Sequence, residues 1–155
     1  MLGGPAEKTL AAEIAANNPK VRDLTGPDLR NAVVALATAD AAVSNDSGLL
    51  HVAAALGTPS LGIIGPTSPE LWAPLNPLAG VIQADIALDC QPCHKPVCRL
   101  KHHLCMREIA VAKVVALTLN AVSGRSSTHC DSWPLFPVNA EPIIAADGPS
   151  LSQPR

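Results

Sequence analysis

The chain has 155 residues, of which 48% are hydrophobic, 15% charged and 2% aromatic, and its formal net charge is −2. These values fit one globular domain with a core of Ala, Leu, Val and Ile, and they offer no basic surface of the kind that nucleic acids need. Residues 1–8 lack the basic and apolar regions of a signal peptide, and no apolar run approaches the roughly 18 residues of a membrane span. The composition therefore predicts a cytoplasmic protein.

The first forty residues predict a helix, a short strand and a second helix. Leu10 and Ile14 are spaced to face inward from a helix over 6–17. A strand is expected at 20–24, and Pro27 suits the first turn of the helix that follows. The inward residues of that second helix are expected to be Leu29, Val33 and Leu36.

The middle of the chain alternates strands with helices. A buried strand is expected at 41–44 and a helix at 47–56, and Gly57 stands where a left-handed residue commonly ends a helix. The further predicted elements are strands at 60–64 and 81–84 and a docked helix at 108–122. This β-α-β order predicts an α/β fold, in which a Rossmann-like parallel sheet is covered by flanking helices.

The two ends of the chain differ from this pattern. From residue 123 onward, prolines and scattered polar residues replace any sustained period. We therefore expect a domain over 1–122, which includes a cysteine-rich loop at 89–106, and a disordered or non-native tail over 123–155. Residues 1–4 look like the end of a strand and its turn, so an N-terminal part is expected to precede them.

The sequence Asn-Asp-Ser-Gly at 45–48 joins a predicted strand to a predicted helix. Parallel sheets bind ligands at the carboxyl ends of their strands, and the unpaired amides of a helix start attract phosphate. Ser47 adds a hydroxyl, Gly48 leaves the backbone open, and the Asp46 carboxylate suits sugar hydroxyls; His51 is placed to face the same cleft. An isolated turn of this composition is more often only a helix cap, so both interpretations stand at this point.

Three segments together resemble glycosyltransferase family nine, the ADP-heptose:lipopolysaccharide heptosyltransferases. They are "LTGPDLRNAVVALATAD", "SNDSGLLHVAAALGTPSLGIIGPTSP" and "LDCQPCHKPVCRLKHHLCMREI", of which the last resembles the heptosyltransferase II branch. The resemblance covers about 3–122. It implies an enzyme that transfers L-glycero-D-manno-heptose from ADP-heptose to the lipopolysaccharide inner core without a required cofactor. It also implies work in the cytoplasm, with peripheral contact at the inner face of the inner membrane.

The resemblance further implies that the chain is the C-terminal, donor-binding half of a GT-B fold, in which two Rossmann-like domains face each other. By resemblance, Asp46 would hold heptose hydroxyls, while Ser47 and the next two backbone amides would hold the donor diphosphate. The implied substrate-binding residues are Asp46, Ser47, Gly48, Leu49 and His51, with Glu7, Thr67 and Ser68 as weaker matches.

The catalytic carboxylate and the surface that binds the lipopolysaccharide acceptor belong, in this family, to the N-terminal domain. No catalytic residue is therefore expected in this chain, and the chain alone is expected to bind the nucleotide-sugar weakly without transferring heptose. Two alternatives stand beside this interpretation. One is another GT-B nucleotide-sugar enzyme, or an epimerase of similar fold, and the other is a non-enzymatic metal-binding interaction module built around the cysteines.

Four cysteines and several histidines share the loop at 89–106. Their spacing is C-x2-C-x4-C-x6-C, and the residues concerned are Cys90, Cys93, Cys98 and Cys105. Such spacing in a cytoplasmic protein favours a structural metal site, zinc rather than an iron-sulfur cluster, with reduced thiols in an irregular loop and disulfides as the alternatives. Basic residues between the cysteines could face a phosphorylated acceptor, although a solvated loop is the simpler interpretation; they are Lys95, Arg99, Lys101 and Arg107.

Overall fold

The computed structural model describes residues 1–124, and the part of the predicted tail from 125 to 155 lies outside them. The described residues form an α/β fold with a parallel three-stranded sheet, as the sequence predicts. The strands are β1 (Ala42–Asn45), β2 (Ser60–Ile63) and β3 (Ala79–Ile82), in the order β1-β2-β3. Ser60 of the central strand pairs with Ala42 on one side and with Ala79 on the other.

Six α-helices accompany this sheet within residues 1–124. They are α1 (Lys8–Asn17), α2 (Leu29–Ala37), α3 (Gly48–Ala55), α4 (Pro69–Trp72), α5 (Leu104–Arg107) and α6 (Val111–Gly124). A 3-10 turn, Pro5–Glu7, precedes α1. The carboxylate of Asp28 caps α2 by accepting a 2.9 Å hydrogen bond from the Arg30 amide. Gly57 follows α3 with φ +74°, which confirms the predicted left-handed helix end.

The core lies where α3 packs on β2. Leu50 of α3 is completely buried, Leu61 of β2 is 2% exposed, and Ile64 just beyond β2 is also completely buried. Gly62 of β2 passes directly under Leu50, because a Cβ at this glycine would lie 2.7 Å from Leu50 Cδ2. The glycine therefore sets how closely α3 approaches the sheet.

Several predicted details are wrong. Strand β1 alternates half-buried with exposed residues, and Val43 is 46% exposed, so this strand is an edge rather than a buried element. Leu10 and Leu29, predicted to face inward, are more than half exposed, since no described element packs against those faces; in α1 the buried residue is Ala11. The helix predicted at 108–122 corresponds to α6, which begins three residues later and ends two residues later than expected, and the short helix α5 before it was not predicted.

The strand predicted at 20–24 is irregular chain in the structure. It nevertheless lies along the first residues of the protein, where the Leu24 amide donates to the Met1 carbonyl at 2.9 Å and the Gly26 amide to the Gly3 carbonyl at 3.0 Å. The pairing is not extended into a strand ladder, because the chain turns on one side of these hydrogen bonds and enters α2 on the other. Their effect is to hold Gly3 in place at the start of α1.

Helix α6 contacts β2 but leaves much of its apolar surface exposed, including Val111 and Leu119. The prediction of a fully docked last helix is therefore wrong for this face. Among the helices within residues 1–124, none combines the length and apolar character that crossing a membrane requires.

Candidate functional site

A cavity of about 500 Å³ opens at the carboxyl end of β1. Its walls are the chain start with the 3-10 turn before α1, the first residue of α2, the end of β1 and the first two turns of α3. The lining residues are Leu2, Gly3, Gly4, Glu7, Leu29, Ser44, Asn45, Ser47, Gly48, Leu49 and Val52. We call it the first cavity. It brings together four of the residues that sequence reasoning selected, namely Glu7, Ser47, Gly48 and Leu49.

Glu7 reaches the first cavity because two glycines precede it. A Cβ at Gly3 would lie 3.1 Å from Glu7 Cβ, and a Cβ at Gly4 would lie 3.3 Å from Glu7 Oε2. The carboxyl group can therefore fold back over the glycine backbone, and larger residues would push it away. Among the described residues that line the cavity, Glu7 is the only acidic one, and it ends the 3-10 turn before α1.

Ser47 and the start of α3 form the opposite wall. Ser47 is the N-cap residue in extended conformation, yet its side chain makes no capping hydrogen bond. Its hydroxyl lies 3.0 Å from the Ser44 hydroxyl instead. Gly48 is exposed, and the space where a Cβ would stand is open. The first amides of α3 and the Ser47 hydroxyl thus remain available to a ligand, and a helix start favours an anionic one.

Two further predicted site residues, Asp46 and His51, do not line the first cavity. Asp46 is half-buried between β1 and Ser47, and His51 is exposed on the first turns of α3. Both are close in sequence to residues of the cavity wall. Their binding roles stay predictions.

A second cavity of about 420 Å³ lies at the carboxyl ends of β2 and β3. It is lined by Thr67, Ser68, Pro69, Glu70, Gln83, Ile86, Ala87, Leu88, Gln91 and Pro92. No lining residue is shared with the first cavity. The structure therefore places Thr67 and Ser68, which sequence reasoning assigned to one cleft with Ser47, in a separate depression.

The profile of "Glycosyltransferase family 9 (heptosyltransferase)" matches residues 1–104, which is more than half of the chain. The chain belongs to glycosyltransferase family 9. This confirms the resemblance that the three sequence segments carry. The match includes both walls of the first cavity and most of the cysteine-rich loop.

Characterised members of family 9 resemble the chain over part of its length. The chain is 32% identical over 123 residues to lipooligosaccharide heptosyltransferase 2 of Campylobacter jejuni, covering 76% of this chain and 38% of that protein. It is 44% identical over 75 residues to lipopolysaccharide heptosyltransferase 2 of Salmonella typhimurium, covering 48% of this chain and 22% of that protein. For lipopolysaccharide heptosyltransferase 2 of Escherichia coli the identity is 48% over 63 residues, with shares of 40% and 18%. The matches thus span less than half the length of these relatives, and no solved structure matches the chain significantly.

The cysteine-rich loop of this family 9 chain clasps the turn that follows β2. The Gln91 side-chain amide donates to the Gly65 carbonyl at 2.7 Å. The backbone amides of Cys93 and His94 both donate to the Pro66 carbonyl at 2.9 Å. A Cβ at Gly65 would overlap the Met106 side chain, so a larger residue in this turn would require that side chain to move. These contacts fix the wall that carries Thr67 and Ser68.

The four cysteines of the loop are half-buried and free. Hydrogen bonding lowers the pKa of the Cys98 thiol, chiefly through the His103 amide and further through the amides of nearby loop residues. Burial raises the pKa of the Cys105 thiol, and the neighbouring thiols of Cys93, Cys98 and Cys90 raise it further. The Cys98 thiol therefore ionises more readily than an ordinary cysteine, and the Cys105 thiol ionises less readily.

The predicted zinc site finds no support in the structure. Within residues 1–124, no group of three or more His, Cys, Asp or Glu side chains is arranged to hold a metal ion. In the loop, His102 Nε2 lies 3.9 Å from Cys90 Sγ. The His102 ring is turned toward the backbone, because its Nδ1 accepts a 3.0 Å hydrogen bond from the Leu104 amide.

Sequence reasoning missed two parts of these sites. Leu29 was expected in the core but is exposed and lines the first cavity. Gln91 was not singled out at all, although it lines the second cavity and holds the Gly65 carbonyl. The only available signal was its position beside Pro92 within the cysteine-rich segment.

Proposed function

We propose that the chain is the donor-binding part of a glycosyltransferase that uses ADP-heptose and acts in assembly of the lipopolysaccharide core. The observation that carries the proposal is the first cavity, where an open helix start faces a glycine-backed carboxylate. Family 9 membership and the names of the characterised relatives support the reaction class. We further propose that the chain corresponds to the C-terminal half of a GT-B enzyme and that 1–122 form its domain.

In this proposal the donor diphosphate lies at the start of α3. The Ser47 hydroxyl and the amides of Gly48 and Leu49 donate to its oxygens, and Glu7 accepts from hydroxyls of the nucleoside. Asp46 accepts from heptose hydroxyls where the sugar leaves the cavity, with His51 beside it. In this placement each part of the donor meets a suitable protein group, because backbone amides stabilise phosphate and carboxylates accept hydrogen bonds from sugar hydroxyls.

The reaction of the complete enzyme follows from this placement. An acceptor hydroxyl attacks the anomeric carbon, its proton passes to a carboxylate base, and the bond from that carbon to the diphosphate breaks with inversion. The charge that develops on the leaving ADP is stabilised by the helix start, so the transfer proceeds without a cofactor. Peripheral contact with the inner face of the inner membrane would bring the acceptor within reach.

Binding of ADP to the purified 155-residue chain, measured by isothermal titration calorimetry, tests the assignment of the first cavity. Ser47→Ala is expected to weaken ADP binding about tenfold, since one hydrogen bond to a charged group is lost. Ser68→Ala is the matched control, because this serine lines the other cavity, and it should leave ADP affinity unchanged. Equal effects of the two substitutions, or no ADP binding at millimolar concentration, would refute the assignment.

Asp46→Ala separates the sugar from the nucleotide. It is expected to weaken ADP-heptose binding while ADP itself binds as before, because Asp46 lies outside the cavity that holds the nucleotide in this proposal. A loss of ADP affinity in this variant would contradict the proposed placement.

We also propose that the 155-residue chain alone binds the donor without completing the transfer. The matched relatives are much longer than the chain, and Glu7, the one carboxylate in the first cavity, is assigned to the nucleoside. Measurable transfer of heptose from ADP-heptose to a lipopolysaccharide acceptor by the purified chain would overturn this part of the proposal.

A further inference from the structure

The start of α3 at the first cavity differs from the start of α2. At α2, the N-cap residue Asp28 accepts a 2.9 Å hydrogen bond from the amide of Arg30, two residues further along the chain. At α3, the N-cap residue is Ser47, and its side chain makes no such bond. Serine is among the best N-cap residues, because its hydroxyl normally accepts from an amide of the first turn. Another group must therefore keep this hydroxyl from the amide of Leu49, which corresponds in position to that of Arg30.

The group that holds the Ser47 hydroxyl is the side chain of Ser44. The two hydroxyl oxygens lie 3.0 Å apart, whereas the Ser44 hydroxyl lies 3.5 Å from Asn45 Oδ1, which is long for a hydrogen bond between oxygens. Ser44 itself is fixed in β1, where it pairs with Gly62 of β2. The Ser47 side chain is thus bonded to a strand residue instead of to the helix that it precedes.

This bond keeps two hydrogen-bond donors free at one wall of the first cavity. The amide of Leu50 donates to the Ser47 carbonyl at 3.1 Å, so it already has a backbone partner. The Leu49 amide is then the remaining target of a Ser47 cap, and Leu49 lines the cavity together with both serines. A hydroxyl can accept from one neighbour while it donates to another. Ser47 can therefore accept from Ser44 and donate to an anionic ligand, which leaves the Leu49 amide for the same ligand.

We propose that Ser44 is a positioning residue of the first cavity, whose hydroxyl holds Ser47 in the ligand-binding orientation and prevents it from capping α3. The inference rests on the proposed function, in which the Ser47 hydroxyl and the first amides of α3 bind the donor diphosphate. Ser44 acts through Ser47, so its effect requires no contact with the ligand. Without the Ser44 hydroxyl, the Ser47 side chain rotates to the Leu49 amide, and the site loses two donors in one step.

Calorimetric titration of ADP into the purified 155-residue chain measures the effect on binding. Ser44→Ala is expected to weaken ADP binding about five- to tenfold, because the Ser47 hydroxyl and the Leu49 amide then bond to each other. In a Ser47→Ala background the same substitution should change ADP affinity less than about twofold, since no hydroxyl remains to be positioned. Ser44→Thr retains the hydroxyl on a side chain that suits a strand, and it should restore ADP binding.

Hydrogen exchange of the Leu49 amide, followed by NMR without nucleotide, reports the orientation of Ser47 directly. In Ser44→Ala this amide should exchange at least about threefold more slowly than in the wild-type chain, because it gains a cap. Ser60→Ala is the matched control, since Ser60 lies on the neighbouring strand β2, is 1% exposed and does not line the first cavity. It should change neither the ADP affinity nor the exchange rate of the Leu49 amide.

Two binding results would overturn the inference, namely unchanged ADP affinity in Ser44→Ala and an equal loss of affinity in the wild-type and Ser47→Ala backgrounds. An exchange rate of the Leu49 amide that Ser44→Ala leaves unchanged would also overturn it. Failure of the proposed function shows differently, as absence of ADP binding to the wild-type chain. The exchange measurement then still decides whether Ser44 orients Ser47, because it needs no nucleotide.

Discussion

Gly62→Ala tests how the core positions the first cavity. A Cβ at this residue of β2 would lie 2.7 Å from Leu50 Cδ2, whereas carbon atoms in contact normally lie about 3.5–4.0 Å apart. Leu50 is completely buried, so it cannot swing into solvent to relieve the overlap. The clash must therefore displace α3 or force Leu50 into a poor rotamer.

The magnitude follows from two opposing effects. Overpacking a core by one methyl group typically costs about 1–3 kcal/mol. Replacing a strand glycine by alanine returns about 0.5–1 kcal/mol, because glycine loses more backbone freedom on folding. We expect a net loss of about 1–2 kcal/mol in the free energy of unfolding, measured by urea denaturation. Because α3 begins at Gly48, the displacement should also weaken ADP binding at the first cavity.

Gly48→Ala serves as the control, since no atom lies within 4 Å of the Cβ that it adds. Its effect on the free energy of unfolding should stay within about 0.5 kcal/mol. A double-mutant cycle with Leu50→Ala sharpens the test, because removing the obstructing atom should abolish the cost of Gly62→Ala. The reasoning is refuted if Gly62→Ala costs the same in both backgrounds or stabilises the chain.

Two further predictions rest on pKa shifts. Cys98 should react with iodoacetamide faster than Cys105 near neutral pH, because the lowered pKa of Cys98 raises its thiolate fraction and the raised pKa of Cys105 reduces the thiolate fraction there. Peptide mass spectrometry measures both reaction rates, and equal rates would contradict the assignment. The Thr25 hydroxyl and amide donate hydrogen bonds to Asp23 Oδ1 at 2.6 and 2.8 Å, and they lower the pKa of Asp23. The stabilisation of the fold by these bonds is therefore present above the unfolded-state pKa of about 3.9, and it is lost as the pH falls through the lower folded-state pKa. Asp23→Asn should therefore flatten stability against pH in that acid range, and an unchanged acid profile would show that these bonds contribute nothing.

Local sequence signals predicted the three strands and the helices α1, α2, α3 and α6, although several of their ends are shifted. Gly57 carries a strong local signal for a left-handed helix end, and the structure confirms it. The Asn-Asp-Ser-Gly turn was placed correctly at a strand end, because parallel topology alone dictates that position. Such signals depend on a few neighbouring residues, so a single sequence is enough to identify them.

Features that depend on distant parts of the chain could not be predicted in this way. Leu10 has the spacing of a core residue, but burial depends on whether another element packs there, and none of the described elements does. Thr67 follows β2 much as Ser47 follows β1, and the local sequence does not show that these two strand ends belong to separate cavities. Gln91 acts across 26 residues on Gly65, and no local pattern reports such a contact.

The clasp on the turn after β2 has a consequence for local opening of the fold. One carbonyl, that of Pro66, accepts the amides of both Cys93 and His94. Neither bond can break by movement of the turn without breaking the other, so the two amides should exchange with solvent deuterium as a pair. Their common protection factor would measure the free energy that separates the clasped segment from its open form. This small unit of the fold can thus be followed without unfolding the sheet.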